Sequence, residues 1–134
     1  MKREWFKTQK EYDRASLMHP KAQEVLVFTV EWLISKGHKA AYYITETVTT
    51  PDEDKKFNRV SDTHRTRRAF DVSTKGMSLE LINDLMTALN KKFGPLGAIS
   101  QGKPRLVIYH NSGYGWHFHV QLNRSFALPV IAQF

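Results

Sequence analysis

Residues 116–122 alternate strictly between apolar and polar side chains, and this alternation limits the possible folds of the chain more than any other feature. The apolar positions are Trp116, Phe118, Val120 and Leu122, and the polar ones are His117, His119 and Gln121. Successive side chains of a β-strand point to opposite faces. The segment is therefore predicted to be a strand that buries one face and presents two imidazoles and an amide on the other.

The rest of the chain predicts helices and further short strands. In chain order, the expected elements are a lead-in or short helix at 1–18, a helix at 21–36, a strand at 40–48, a polar loop from 51 to about 66, a strand at 68–73, a helix at 79–93, a strand at 106–109 and the strand 116–122. The turn at 111–115 makes the last two strands an antiparallel hairpin. This order predicts an α+β fold with helices packed on a small antiparallel sheet. The 134 residues are expected to form one domain, 1–134, with 1–18 as its N-terminal lead-in.

Composition restricts the chemistry. The chain has no cysteine, which excludes disulfides and thiolate metal sites, so any metal must be held by His, Asp or Glu. The net charge of +7 favours a polyanionic partner such as nucleic acid, an anionic cell-wall polymer or a lipid surface. No apolar run has transmembrane length, and the basic residues 1–7 are followed by no apolar signal segment. We therefore expect synthesis in the cytoplasm without a signal peptide.

A second stretch places His64 in a predicted loop and Asp71 seven residues later, between two apolar neighbours on a predicted strand. A carboxylate in such a position is costly unless it is paired, hydrogen-bonded or bound to a metal. An ion pair with a nearby arginine or lysine is one explanation, and a metal ion is another. Two imidazoles and one carboxylate are a standard ligand set of hydrolytic zinc. His64, Asp71 and His119 could form this set, although the spacing also permits both strand histidines to be ligands.

Two motifs in these stretches resemble those of a known family. They are His64-x2-Arg67-x-Ala69-x-Asp71 and Trp116-His117-x-His119. They are similar to the H-x2-G-x-A-x-D and W/H-x-H signatures of the LAS zinc peptidases, a group named after lysostaphin, D-Ala-D-Ala metallopeptidases and Sonic hedgehog. Within the group, the chain looks most like the D-Ala-D-Ala carboxypeptidase and L-alanyl-D-glutamate endopeptidase branch, especially small phage endolysins.

The resemblance implies a hedgehog/D-Ala-D-Ala-peptidase-like fold with Zn²⁺ held by His64, Asp71 and His119. His117 matches the catalytic histidine that polarises the scissile carbonyl or handles a proton. The implied activity is hydrolysis of peptidoglycan stem peptides, as an endopeptidase or a D,D-carboxypeptidase. Such a protein would be a monomeric phage-derived enzyme without a membrane partner. It would act at the bacterial cell wall during lysis or from a virion.

The chain departs from the family pattern at two positions. Arg67 replaces the usual glycine, and Trp116 stands where many relatives carry an acidic general base. The base is left open among His117, a carboxylate from another element such as Glu46, and the activated water itself. Arg67, Glu46 and Tyr114 are predicted to contact substrate.

Two other functional classes are possible. The first is a non-catalytic, zinc-stabilised binding or structural module on the same fold. The second is a basic nucleic-acid-binding protein, which is disfavoured because it would need aromatic residues interleaved with Lys and Arg on one surface. The sequence has only scattered ones.

Overall fold

A computed structural model describes residues 1–113 and 115–134. The helices are α1 (Gln9–Ala15), α2 (Pro20–Ser35), α3 (Pro51–Lys56) and α4 (Leu79–Phe93). The strands are β1 (Ile44–Glu46), β2 (Ala69–Ser73), β3 (Ala98–Ser100), β4 (Lys103–Arg105), β5 (Val107–Asn111) and β6 (Trp116–Gln121). Single 3-10 turns occupy Arg3–Trp5, Gly94–Leu96 and Arg124–Phe126. None of the helices in the described ranges is long and apolar enough to cross a membrane.

The main sheet has the strand order β1-β2-β6-β5, and all its neighbouring strands are antiparallel. Strands β3 and β4 form a separate antiparallel pair. Helix α2 contacts both α4 and β2, and α4 also contacts β5. These contacts confirm the predicted α+β class, a small antiparallel sheet with helices packed on it. They also confirm the β5–β6 hairpin.

The hydrophobic core lies between these helices and one face of the sheet. Its fully buried side chains include Leu26, Leu33, Leu85, Phe70 and Phe118. Burial of a side chain of this size contributes about 1.5–3 kcal/mol. Since Phe70 and Phe118 fix this face of β2 and β6, the neighbouring polar residues of those strands must point to the other face.

The register aligns three polar residues across the sheet. Asp71 on β2 is opposite His119 on β6 and opposite Glu46 on β1. A bulge interrupts β1 between Ile44 and Glu46, since Ile44 pairs with Val72, the neighbour of Asp71. In a regular strand Ile44 and Glu46 would share a face. The extra residue lets Ile44 stay in the core while Glu46 turns toward Asp71.

The structure corrects the sequence prediction at several elements. The expected loop starting at residue 51 begins instead with α3, whose N-terminus has Pro51 in its first turn and a reciprocal capping box between Thr50 and Glu53. The strand expected at 40–48 is limited to Ile44–Glu46. The β3–β4 pair was not predicted, because its turn-rich segment lacks a clear period-2 pattern.

Trp116 is also not in the core. It is 56% exposed and stacks on Tyr109, with 4.9 Å between ring centroids. It is the first residue of β6 and is among the residues that line the cleft described below.

Candidate metal centre

Three predicted ligands, carried by separate segments, meet at one point. His64 comes from the turn before β2, Asp71 from β2 and His119 from β6. The Asp71 Oδ1 atom lies 3.1 Å from His64 Nε2 and 2.9 Å from His119 Nδ1. One potential ligand atom from each residue lies within 4.8 Å of the other two. This group could hold a metal ion.

A hydrogen bond at Nδ1 of His64 determines which ring nitrogen presents a lone pair to the cluster. His64 Nδ1 lies 2.6 Å from the carbonyl oxygen of Thr47, and a carbonyl can only accept, so Nδ1 carries the hydrogen. The neutral ring therefore presents the lone pair of Nε2 to Asp71. The carboxylate of Glu11 in turn accepts from the backbone N–H of Thr47, at 2.8 Å. Helix α1 thereby supports the orientation of His64.

A similar relay orients His119. The amide nitrogen of Gln121 donates to the Arg105 carbonyl at 3.0 Å, so its oxygen faces His119 Nε2, also at 3.0 Å. That oxygen accepts a hydrogen from Nε2, which leaves the lone pair of Nδ1 pointing at Asp71. Gln121 follows His119 on the same strand face, so the alternating pattern already contained this contact. Its role was not predicted.

Two nitrogen lone pairs and a carboxylate therefore converge with no donor among them when the imidazoles are neutral. His64 is 2% exposed, Asp71 8% and His119 9%, so water is largely excluded. Such a set needs a cation at its centre, either protons or a metal ion. The donor set of two imidazoles and one carboxylate fits Zn²⁺ with a fourth position free.

The electrostatics of the cluster favour a proton on His64 when no metal is bound. Burial acts to lower the pKa of His64, but the charge of Asp71 and the hydrogen bond to it prevail and raise the pKa to about 9. Burial acts to raise the pKa of Asp71, but the charge on His64 and hydrogen bonds from both histidines hold that pKa well below its usual range. The carboxylate is thus ionised and available as a ligand.

The cluster lies at a cleft of about 810 Å³, which it meets at Asp71. His117, the predicted catalytic residue, also lines the cleft, and its Nε2 lies 3.7 Å from Asp71 Oδ2. His117 is opposite His110 in the β5–β6 register, with 4.6 Å between the ring centroids. The two histidines of β6 therefore differ in position, since His119 is buried in the cluster while His117 faces the cleft.

Glu46 and Arg59 form one wall of this cleft. The Glu46 Oε1 atom lies 2.6 Å from a terminal guanidinium nitrogen of Arg59 and 3.5 Å from His64 Nε2. Arg59 was not predicted as a site residue. It lies in the segment read as a solvated loop, and nothing local in the sequence distinguishes it from other surface cations.

The structure does not bring Arg67 to the cleft. Its guanidinium donates to the carbonyls of Leu17, at 2.6 Å, and Pro129, at 3.2 Å, and it is not among the described residues that line the cleft. Its backbone has φ of 66°, the left-handed conformation that glycine adopts without strain. The motif that this segment resembles has a glycine at the position of Arg67, and a glycine would adopt this positive φ without strain. Tyr114, the other predicted substrate contact, lies outside the described residues.

Comparisons with known protein families, curated proteins and solved structures found no match to this chain. The fold and site define an α+β protein with a candidate His-Asp-His metal centre beside a cleft. The resemblance to the LAS peptidases stays a prediction.

Proposed function

We propose that this protein is a zinc-dependent peptidase that hydrolyses peptide bonds in peptidoglycan stem peptides, as an endopeptidase or a D,D-carboxypeptidase. The observation that carries the proposal is the combination of the His64–Asp71–His119 cluster with the cleft-facing His117. A purely structural metal site would be expected to use four protein ligands. A three-ligand group that borders an open cleft is the arrangement typical of catalytic zinc.

Each residue has a distinct role in the proposed reaction. His64, Asp71 and His119 would hold Zn²⁺, which when bound supplies Lewis-acid chemistry at a substrate carbonyl. His117 lies beside Asp71 without belonging to the cluster, and its Nδ1 donates to the Gly115 carbonyl at 3.2 Å. In the imidazolium form, its Nε2 would donate a hydrogen bond to the substrate carbonyl oxygen as negative charge develops there. Because His117 lines the cleft and is not one of the three proposed ligands, its loss should impair the reaction and spare the metal.

The charge of the cleft supports an acidic substrate. Lys7, Lys75 and Arg59 line it, together with the acidic Glu46 and Asp71. Metal binding would neutralise much of the acidic charge and leave the cationic wall dominant. Stem peptides carry free carboxylates, so this wall suits them. The proposed setting is the bacterial cell wall, during phage lysis or entry, with the net charge of +7 attracting anionic wall polymers.

The test is mass spectrometry of purified peptidoglycan digested with the protein, with and without a chelator. New amine termini that disappear with chelator are expected, and their position identifies the scissile bond. His119→Ala should lose both zinc and activity, whereas His117→Ala should keep zinc and lose most activity. His38→Ala, outside the cluster, is the matched control. No chelator-sensitive amine from the wild-type protein would refute the peptidase function.

A further inference from the structure

Glu46 is turned toward the metal centre by a specific irregularity of the backbone. In a regular antiparallel register, a strand that pairs Ile44 with Val72 would place Glu46 on the core face. The bulge in β1 instead pairs Glu46 with Asp71. Bulges often re-aim a side chain next to a functional site. Ile44 is already fully buried, so packing of the core does not by itself account for the interrupted hydrogen-bond ladder between β1 and β2.

The carboxylate of Glu46 is held at the border of the cluster by a charged partner. Its Oε1 atom is buried and lies 2.6 Å from a terminal guanidinium nitrogen of Arg59, with which it forms an ion pair. The same atom is 3.5 Å from His64 Nε2, the nitrogen that faces Asp71. The oxygen therefore borders both the cleft and the point where the three proposed ligands meet.

Arg59 holds this carboxylate in place from the other side. Its guanidinium also binds Asp54 of α3, at 3.0 Å, and the side chain of Asp54 is 2% exposed. The anchor of Glu46 is therefore fixed by a buried carboxylate and is not a freely moving surface arginine. This matters because a proton acceptor must be held within hydrogen-bond reach of the atom it deprotonates.

We propose that Glu46 is the general base of this protein, held by Arg59, and that it replaces the acid absent from the strand that carries His117 and His119. In the proposed hydrolysis, Glu46 Oε1 takes a proton from the attacking water as the water oxygen bonds to the carbonyl carbon. The carboxylic acid then returns that proton to the amine as the carbon–nitrogen bond breaks. Water is the only co-reactant, and no atom changes its oxidation state. This assignment rests on the proposed peptidase function.

The principal test uses Glu46→Gln, which keeps shape and removes the basic oxygen, with the exposed Glu31→Gln as control. Zinc affinity, measured by competition with a chromophoric chelator, should stay within about threefold of wild type for both variants. The rate of amine release from peptidoglycan should fall roughly 10²- to 10⁴-fold for Glu46→Gln alone. The visible spectrum of the Co²⁺-loaded protein should shift for Glu46→Gln and not for Glu31→Gln, because only Glu46 borders the centre.

Two results would overturn the assignment while leaving the peptidase function intact. Glu46→Gln that releases amine at the wild-type rate would show that the base is another group. A loss of zinc affinity of about 100-fold would show that Glu46 is a metal ligand instead of a proton acceptor. Failure of the proposed function has a different signature, because the wild-type protein would then release no amine at all. In that case an unchanged Co²⁺ spectrum in Glu46→Gln would also remove Glu46 from the centre.

Arg59→Gln tests the anchor separately. The rate should fall roughly 10- to 100-fold with zinc retained, because the carboxylate loses its fixed position but not its chemistry. A wild-type rate in this variant would show that Arg59 does not position Glu46.

Discussion

His64 is held by contacts that decide which of its nitrogens faces the cluster and how strongly it binds a proton. Its Nδ1 donates to the Thr47 carbonyl, so only Nε2 is free to face Asp71. Asp71 raises the pKa of His64 to about 9, despite burial. In the metal-free protein at neutral pH, His64 is therefore charged, and a metal must displace its proton.

This competition predicts the pH dependence of metal binding. The apparent zinc affinity should tighten by about tenfold per pH unit between about pH 7 and 9, and then level off once His64 is neutral before binding. The measurement is chelator competition at several pH values, corrected for the protonation of the chelator itself. An affinity that does not change over this range would contradict the pairing of His64 with Asp71.

Helix α3 connects the metal centre to the rest of the fold through one buried carboxylate. Asp54 accepts a hydrogen bond from the Thr49 hydroxyl at 2.7 Å and one each from Arg59 and Arg65 at 3.0 Å. Arg65 adjoins His64, and Arg59 contacts Glu46. The polar run at the start of α3 is thus partly buried, and Asp54 links it to Arg59 in the cleft wall and to Arg65 next to His64.

We expect Asp54→Asn to lower the free energy of unfolding by about 2–3 kcal/mol, because it leaves two arginines without their shared charge partner. Asp52→Asn, on the exposed side of the same helix, should change it by less than about 0.5 kcal/mol. Urea denaturation of both variants measures the difference. Equal stability of the two variants would show that the network around Asp54 does not stabilise the fold.

Most of the basic residues of the whole molecule lie outside the candidate cleft. The excess of 20 basic over 13 acidic residues gives +7, and this charge acts on large polyanions over distances set by salt. A small peptide in the cleft would instead meet mainly the few cationic groups of the cleft wall.

We therefore predict that added salt will slow the hydrolysis of intact peptidoglycan more than the hydrolysis of a small peptide. Hydrolysis of intact peptidoglycan should slow several-fold between about 0.05 and 0.5 M NaCl, because screening weakens attraction to anionic wall polymers. Hydrolysis of a short soluble stem peptide, which keeps the carboxylates but lacks the attached wall polymer, should slow less, and it serves as the control. An equal loss on both substrates would place the salt effect in the cleft and not in long-range attraction.

Local sequence patterns were sufficient for much of the fold. The alternation in residues 116–122 and the apolar stripes of α2 and α4 predicted the strand and the main helices, because burial of one face imposes a period on the sequence. Helix α3 was missed because its signals are caps and not an apolar period. Trp116 was assigned to the core because alternation gives the face of a residue but not whether another element covers that face.

By itself, the sequence determined the chemical identity of the candidate centre: without cysteine, a metal would need imidazoles and carboxylates, and His64, Asp71 and His119 were the predicted set. Only the tertiary structure decided how they meet and which groups surround them. It placed His119 in the buried cluster and His117 at the cleft, as the sequence had predicted. It directed the Arg67 side chain to the carbonyls of Leu17 and Pro129 and put Glu46 and Arg59 in the cleft wall. These placements depend on the strand register, on the bulge in β1 and on the positive φ of Arg67. All three are set by contacts between segments that are distant in the sequence.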